Sequence, residues 1–397
     1  MSAIALLVLV AACADDSAPA TPGAQAGTDP TSTVHLDAKP GATTTTHAPF
    51  TVPGRAPLAG MPPLTDPNNV YGAAASGLSA AVKGARDLIY VPNSKSGNVS
   101  VIDPKTYTVI DTFNTGKVPQ HVVPSWDLQT LWVNNNEGNT LTPIDPKTGK
   151  PGASIPVEDP YNLYFTPDGK YAMVMEERNA TIAFRDPKTM ALIKQVKVPC
   201  KGVNHADFSP DGTFFIASCE FSGELIKFDV VNLEVVGEAT LATNGAMPQD
   251  VRLTPDGSLF LVADMVANGV WMVDGESFTV KGLIPTGKGA HGVYPSRDGS
   301  VLYVSNRADG SISVIDGGTK QVVRTWKIPG GGSPDMGGVS VDGTVLWMSG
   351  RNNGEVYAID VVNWKLLARI KVGTSPHGLC VFPQPGRYSL GHTGNYR

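Results

Sequence analysis

The sequence predicts an all-β protein, a seven-bladed β-propeller of four-stranded antiparallel blades. Three observations carry that reading. An aspartate closes an apolar run at Asp103, Asp145, Asp186, Asp229, Asp274, Asp316 and Asp360, at spacings of 41–45 residues. Each period contains several short apolar runs divided by tight turns, and a repeat of about 40–50 residues with several strands per unit is the signature of a propeller. Gly 43, Pro 32 and only 17% charged residues suit turn-rich sheets better than helices.

One period, His205–Val236, shows how a blade is built. His205–Phe208 opens the innermost strand. Ser209-Pro210-Asp211-Gly212 turns the chain, the proline presetting φ and the glycine accepting positive φ. Thr213–Cys219 forms the second strand, Leu225–Asp229 the third, and Leu233–Val236 starts the outermost one. The Pro-Asp-Gly turn recurs at Pro167–Gly169 and Pro255–Gly257, and Asp-Pro-Lys-Thr recurs at Asp103, Asp145 and Asp186. An aspartate that opens such a turn accepts backbone N–H bonds from the residues just after it, so the repeated aspartates are read as structural. Trp132, Trp271 and Trp347 sit in strand-like runs and are assigned to packing between blades. Ring closure needs a strand for blade 1, whose other strands begin at Asp87. His377–Phe382 and Leu78–Ala85 compete for that place.

Ahead of the repeats lie two segments of different character. Residues 1–13 contain a short apolar run, Ile4–Ala12, ending in Val10-Ala11-Ala12-Cys13, which resembles a bacterial lipobox with Cys13 as the lipidated residue. Met1-Ser2-Ala3 lacks the usual Lys or Arg, so the true start is read as lying upstream. Residues 14–68 are rich in Ala, Thr, Pro and Gly and read as a disordered tether. Residues 69–397 form the propeller. The expected location is therefore extracytoplasmic, in the periplasm or at the cell surface, with the membrane reached by the lipid anchor alone. A net charge of −5 without a basic cluster argues against nucleic acid.

The strands Tyr90-Val-Pro-Asn93 and Tyr303-Val-Ser-Asn306, their Ser-Val-Ile-Asp continuations and the Pro-Asp-Gly turns resemble the YVTN-repeat β-propellers, the YncE-like proteins. The resemblance covers about Asp87–Phe382 and is specific for fold. It implies no single activity, because propellers of this kind serve as secreted proteins, surface-layer proteins, lactonases and haem d1 domains.

The residues that open the innermost strands should ring the mouth of the central channel. They are His121, Asn162, His205, Asp250, His291, Met336 and His377, so four of seven histidines fall at this position. His35, His47 and His392 lie outside it. Imidazoles converging with Asp250, Met336, Asp207 and Asp335 suit a transition metal, copper or zinc. The ends of the second strands supply a further ring, Asn93, Asn135, Glu176, Glu220, Asp264, Asn306 and Arg351, with Arg178 and Arg307 close by. Such a mouth can hold a small polar ligand. A Cys200–Cys219 disulfide fits an oxidising compartment, with Cys200 as metal ligand the rival, and Cys380 reads as a buried free thiol. Phosphate-loop, nucleophile-elbow, zinc-protease and haem-attachment motifs do not occur. The function expected is a monomeric, lipid-anchored binding protein taking a metal ion, a tetrapyrrole or a small polar ligand at the mouth. A metal-dependent oxidoreductase or lactonase-like hydrolase at the same mouth and a protein-interaction scaffold are the alternatives.

Overall fold

The computed structural model describes residues 55–75, 77–392 and 394–397. The expected signal segment with Cys13, the part of the expected tether up to residue 54, His35 and His47 lie outside them. Seven antiparallel sheets succeed one another along the chain, each laid down from inside to outside. Blade 1 is the exception in order. Its strands Leu88–Asn93, Asn98–Asp103 and Thr108–Asn114 take their innermost partner from Cys380–Phe382, with Leu88 opposite Phe382 and Tyr90 opposite Cys380. The segment around His377 therefore closes the ring, and Leu78–Ala85 does not. The latter contains only a short 3-10 turn, Ala80–Val82. In blade 2 the outermost strand is broken into Lys150–Pro151 and Ile155–Pro156, where prolines cannot donate to the ladder.

The inner three strands of each blade are apolar because both faces of every sheet are covered. Apolar clusters fill the spaces between successive blades. Tyr90, Val99 and Val101 of blade 1 meet Val122, Leu131 and Val133 of blade 2. Across the closure, Ile89, Val91 and Ile102 meet Trp347, Val356 and Ala358 of blade 7. Trp132 and Trp271 are each 7% exposed in such interfaces, and Trp347 stacks on Tyr107 at 5.7 Å. The outermost strands alternate or are exposed, as in Glu234–Thr240.

The closing aspartates do what their turns require. Asp103 accepts from Lys105 N at 2.9 Å, Asp316 from Thr319 N at 2.7 Å, and Asp360 from Asn363 N at 2.8 Å. Four residues after each aspartate the backbone is left-handed, at Tyr107, Gly149, Met190, Leu233, Phe278, Lys320 and Trp364. Only one of these is glycine. The aspartate bonds hold a conformation that costs the other six residues strain.

The asparagines ending the second strands are also structural. Asn306 Nδ2 donates to Ser311 and Ser313 Oγ at 3.0 Å each, and its Oδ1 accepts from Gly287 N at 3.1 Å. Asn93 and Asn135 bond in the same way to Asn98 and Ser100, and to Thr140 and Thr142.

Two terminal segments cover the face that carries the Pro-Asp-Gly turns. The tether reading to residue 68 is corrected here, because residues 55–68 are held against the propeller. Leu58 N bonds Asp211 O at 2.8 Å and Pro63 O accepts from Arg387, while just beyond the segment Val70 N bonds Pro255 O at 2.8 Å and Asn69 Nδ2 bonds Asp298 O at 3.1 Å. The C-terminal segment beyond Pro383 folds back on itself, with Leu390 N bonded to Asn395 O at 2.9 Å, and enters the channel. There Leu390 O accepts from Phe165 N and His392 N donates to Leu163 O, both at 2.9 Å. Replacing Asn306 with alanine is expected to cost about 2–3 kcal/mol, since three bonds at about 1 kcal/mol each are lost. Denaturant unfolding monitored by tryptophan fluorescence checks it, and an unchanged midpoint would contradict the assignment.

Candidate functional site

The channel wall is built from the innermost strands, six of which carry an irregularity in pairing near their start. In blade 4 Val203 opposes Cys219 and Ala206 opposes Ala217, so Asn204 and His205 together face one partner residue. A bulge of this kind re-aims side chains and lets two successive residues reach the axis. The seven expected positions are thus not one ring but two layers. Gln120, Tyr161, Asn204, Gln249, His291, Asp335 and His377 form the layer nearer the strand starts. His121, Asn162, His205 and Asp250 lie one residue further in.

The four predicted histidines do converge, and a fifth joins them. His121 lies 4.8 Å from His377 and 5.5 Å from His205, measured between ring centroids. His291 is 5.6 Å from His377. The addition is His392 of the C-terminal segment, 5.1 Å from His121 and 4.9 Å from His205. Ligand atoms of His121, His205 and His392 lie within 4.8 Å of one another. All five rings are buried, none more than 1% exposed. Sequence reasoning passed over His392 because it lies outside every repeat; the glycines around it, Gly391 and Gly394, were the available hint of a tight approach. Gly391 indeed packs on Leu163 and Tyr164 backbone, where a Cβ would come within 2.4 Å.

Which imidazole nitrogens are engaged separates the histidines into two kinds. His377 Nδ1 bonds Asp335 Oδ2 at 2.6 Å and its Nε2 faces the Tyr161 hydroxyl at 3.4 Å. His291 Nδ1 stands 3.3 Å from Asp335 Oδ1, a carboxylate also bonded by Arg307 Nε at 2.8 Å. His205 Nδ1 bonds Asn204 Oδ1 at 3.0 Å, so that nitrogen carries the proton and Nε2 keeps its lone pair. Among the described residues, His205 Nε2, His392 Nε2, both nitrogens of His121 and, on the Asp335 side, His291 Nδ1 have no hydrogen-bond partner. Burial holds the pKa of His121 and His205 well below the ordinary value and lowers that of His392, and burial brings His377 to about 4. The rings are therefore neutral near pH 7, the state in which imidazole ligates metal. His121 is seated by Gly378, whose hydrogen points at the ring: a Cβ there would fall 2.0 Å from Nδ1.

Two carboxylates complete the hub. Burial opposes ionisation of Asp250, yet Arg252, 3.4 Å away, and the facing histidines hold its carboxyl below the usual range. Its Oδ2 accepts from Val293 N at 2.9 Å, and its Oδ1 lies 3.3 Å from His392 Nε2. Asp335 is likewise held down, against burial, by Arg307, His291 and His377. Asn162 belongs to the hub through Nδ2, 3.1 Å from His392 Nδ1.

Several expected positions are corrected. Met336 is buried between blades 6 and 7, with its sulfur accepting from Tyr294 Oη at 3.0 Å, and does not offer itself to the channel. Glu176 turns outward along its blade to Gln195 Nε2, at 3.1 Å. Asp264 caps its own loop, accepting from Val266 N at 2.9 Å and Ala267 N at 3.0 Å, and its other oxygen accepts from Trp271 Nε1 at 3.0 Å. The physical reason is pleat: the strand-ending residue points into the blade, and the residue after it points to the axis. At that following position stand Glu177, Glu220, Arg307 and Arg351. Glu220 bonds Asn204 Nδ2 at 2.8 Å, and burial together with Glu220 raises Glu177 well above the carboxylate range. Arg351 reaches Ser94 Oγ at 3.4 Å. Arg178 is taken up by Asp159 at 2.7 Å. Asp207 lies deeper and is bound by the C-terminal segment, by Asn395 Nδ2 at 2.9 Å and Arg397 at 3.2 Å. Cys200 and Cys219 form a disulfide, which removes Cys200 from any ligand set, and Cys380 is a buried free thiol.

Residues 56–387 match the family described as YNCE-like beta-propeller. The chain belongs to that family. Two curated relatives, both described as "Uncharacterized protein YncE", from Salmonella typhi and Salmonella typhimurium, are 38% identical over 68 residues. That stretch is 17% of this chain and 19% of each relative, so the match spans about a fifth of their length. Among solved structures, Kuenenia stuttgartiensis hydrazine synthase superposes with a TM-score of 0.62 at 18% identity, covering 70% of this chain and 93% of that one. Dihydro-heme d1 dehydrogenase NirN in complex with DHE gives 0.57 at 13% identity, covering 74% of each. A functionally unknown protein from Desulfotomaculum acetoxidans gives 0.63 at 16%, covering 74% and 99%. At these identities the likeness is one of fold, and the histidine hub of this YNCE-like propeller is read from its own residues.

Proposed function

We propose that this chain is an extracytoplasmic metal-binding propeller, anchored through a lipid on Cys13, that holds one copper or zinc ion in its hub. The observation that carries the reading is the pair His121 and His205, two wall imidazoles with buried nitrogens that no group among the described residues satisfies. Leaving such nitrogens unpaired costs about 1–3 kcal/mol each, and a late-transition-metal ion is the partner neutral imidazole prefers. The amide of Asn204 fixes the tautomer of His205 as a supporting group for a metal-bound ring would. NirN in complex with DHE suggests a tetrapyrrole as the rival occupant. The spacing here favours an ion, since Tyr161 and the histidines stand 4.8–6.3 Å apart and leave no slot for a macrocycle. The disulfide Cys200–Cys219 supports an oxidising compartment.

Protein exported from an oxidising compartment and purified without chelating resin is expected to carry, or take up, one equivalent of copper or zinc. The double variant His121→Ala/His205→Ala is expected to bind at least about 100-fold more weakly while remaining folded. Titration followed by elemental analysis reads both, and wild-type protein that takes up neither metal would sink the proposal. Location has its own check. Cys13→Ala is expected to move the protein from the membrane fraction to the soluble one, and unchanged membrane association would contradict the lipid anchor.

A further inference from the structure

The C-terminal segment is more than a cover for the channel. It threads in from the turn face, is pinned by Arg397 and Asn395 on Asp207, and delivers His392 beside His121 and His205. Tyr388 and Leu390 anchor it in the apolar space between blades 3 and 4. Its seat at the hub is nevertheless polar and loosely satisfied. Asn162 Nδ2 faces His392 Nδ1 at 3.1 Å, so the neutral ring carries its proton on Nε2, which stands 3.3 Å from Asp250 Oδ1, both fully buried and with no hydrogen bond of acceptable geometry among the described residues. Ligation through Nε2 therefore requires that proton to move to Nδ1 and the Asn162 amide to turn its oxygen to it. An imidazole carried by the segment thus completes a three-nitrogen set whose other two members belong to the wall, with a carboxylate oxygen at its edge.

We infer that the hub metal site is a composite one, in which His392 supplies the third nitrogen and metal uptake and seating of the C-terminal segment are one coupled equilibrium. This rests on the hub-metal reading above and specifies its ligands. Three imidazoles and one carboxylate oxygen suit four-coordinate zinc or copper. The coupling follows from linkage: an ion that needs His392 binds the seated segment and not the released one, so it stabilises the seated state by mass action. By reciprocity, anything that draws the segment out of the channel lowers metal affinity by the same factor. The pins at Asp207 and the apolar anchors act without metal, so the segment is seated in the metal-free protein and the ion tightens it.

The test uses the full chain and Zn(II) or Cu(II) alone as probe. Wild type, His392→Ala, His392→Asn and His121→Ala/His205→Ala are titrated, and amide hydrogen exchange of the segment from Gly386 to Arg397 is followed with and without the ion. The expected result is a loss of at least about 100-fold in affinity for both His392 variants. In wild type, exchange at the His392 and Leu390 amides is expected to slow by about 10- to 100-fold on metal binding. Wild-type affinity in the His392 variants, alongside lost affinity in the double wall variant, would overturn the composite site and leave the hub-metal reading standing. So would wild-type protein that binds the ion with no change in exchange of the segment, a result that needs no variant to fold. Absence of binding in wild type would overturn the hub-metal reading itself.

Discussion

Everything at the hub depends on the pairing of Cys380–Phe382 with Leu88–Tyr90. A propeller is a ring of sheets whose first and last blades would otherwise expose an unpaired edge, and here the chain closes the ring from its far end. Closure brings Gly378 beside His121, with Val122 N bonded to Gly378 O at 3.0 Å and Gly378 N to Gln120 O at 2.8 Å. It also leaves the rest of the chain at the bottom of the channel with nowhere to go but in or across. The position of His392 is therefore tied to how the ring is fastened.

The hub is electrostatically quiet by construction. Two buried carboxylates each have a guanidinium, Asp250 with Arg252 and Asp335 with Arg307, and five neutral imidazoles lie among them. Breaking either pair would leave a buried charge unmatched, which costs far more than an exposed pair returns. The two halves differ in what they still need. On the Asp335 side His377 and Arg307 bond the carboxylate, and one imidazole nitrogen, His291 Nδ1, is left 3.3 Å from it without a hydrogen bond. On the His121, His205 and His392 side, four imidazole nitrogens have no hydrogen-bond partner among the described residues. That asymmetry, rather than the number of histidines, points to where an ion would sit.

The fold was legible because a propeller repeats its solution. Seven aspartates, the Pro-Asp-Gly turns and the Tyr-Val-x-Asn strands each recur for a local reason, and that reason operates again in the structure. The candidate site was legible only in part. Four histidines were found by counting from strand starts, but that count cannot see a bulge, so two layers were read as one ring. Two strand-end residues, Glu176 and Asp264, were misjudged by one pleat and point into their blades, and Glu177 was passed over, whereas Glu220, Arg307 and Arg351 were named and stand at the following position. His392 was missed for a different reason. It lies in a non-repeating segment whose place is set by long-range contacts such as Arg397 with Asp207, 190 residues apart, and no local pattern encodes such a contact. The left-handed turn residues escaped notice similarly, since only Gly149 among them advertises its conformation.

The most direct test of the account is a crystal of the metal-loaded chain, with an anomalous difference map collected at the copper or zinc edge. One peak is expected inside the channel, bonded to a nitrogen of each of His121, His205 and His392 at about 2.0–2.1 Å. A peak held instead by His291 and His377, or one at the surface with the five hub rings unmoved, would contradict it.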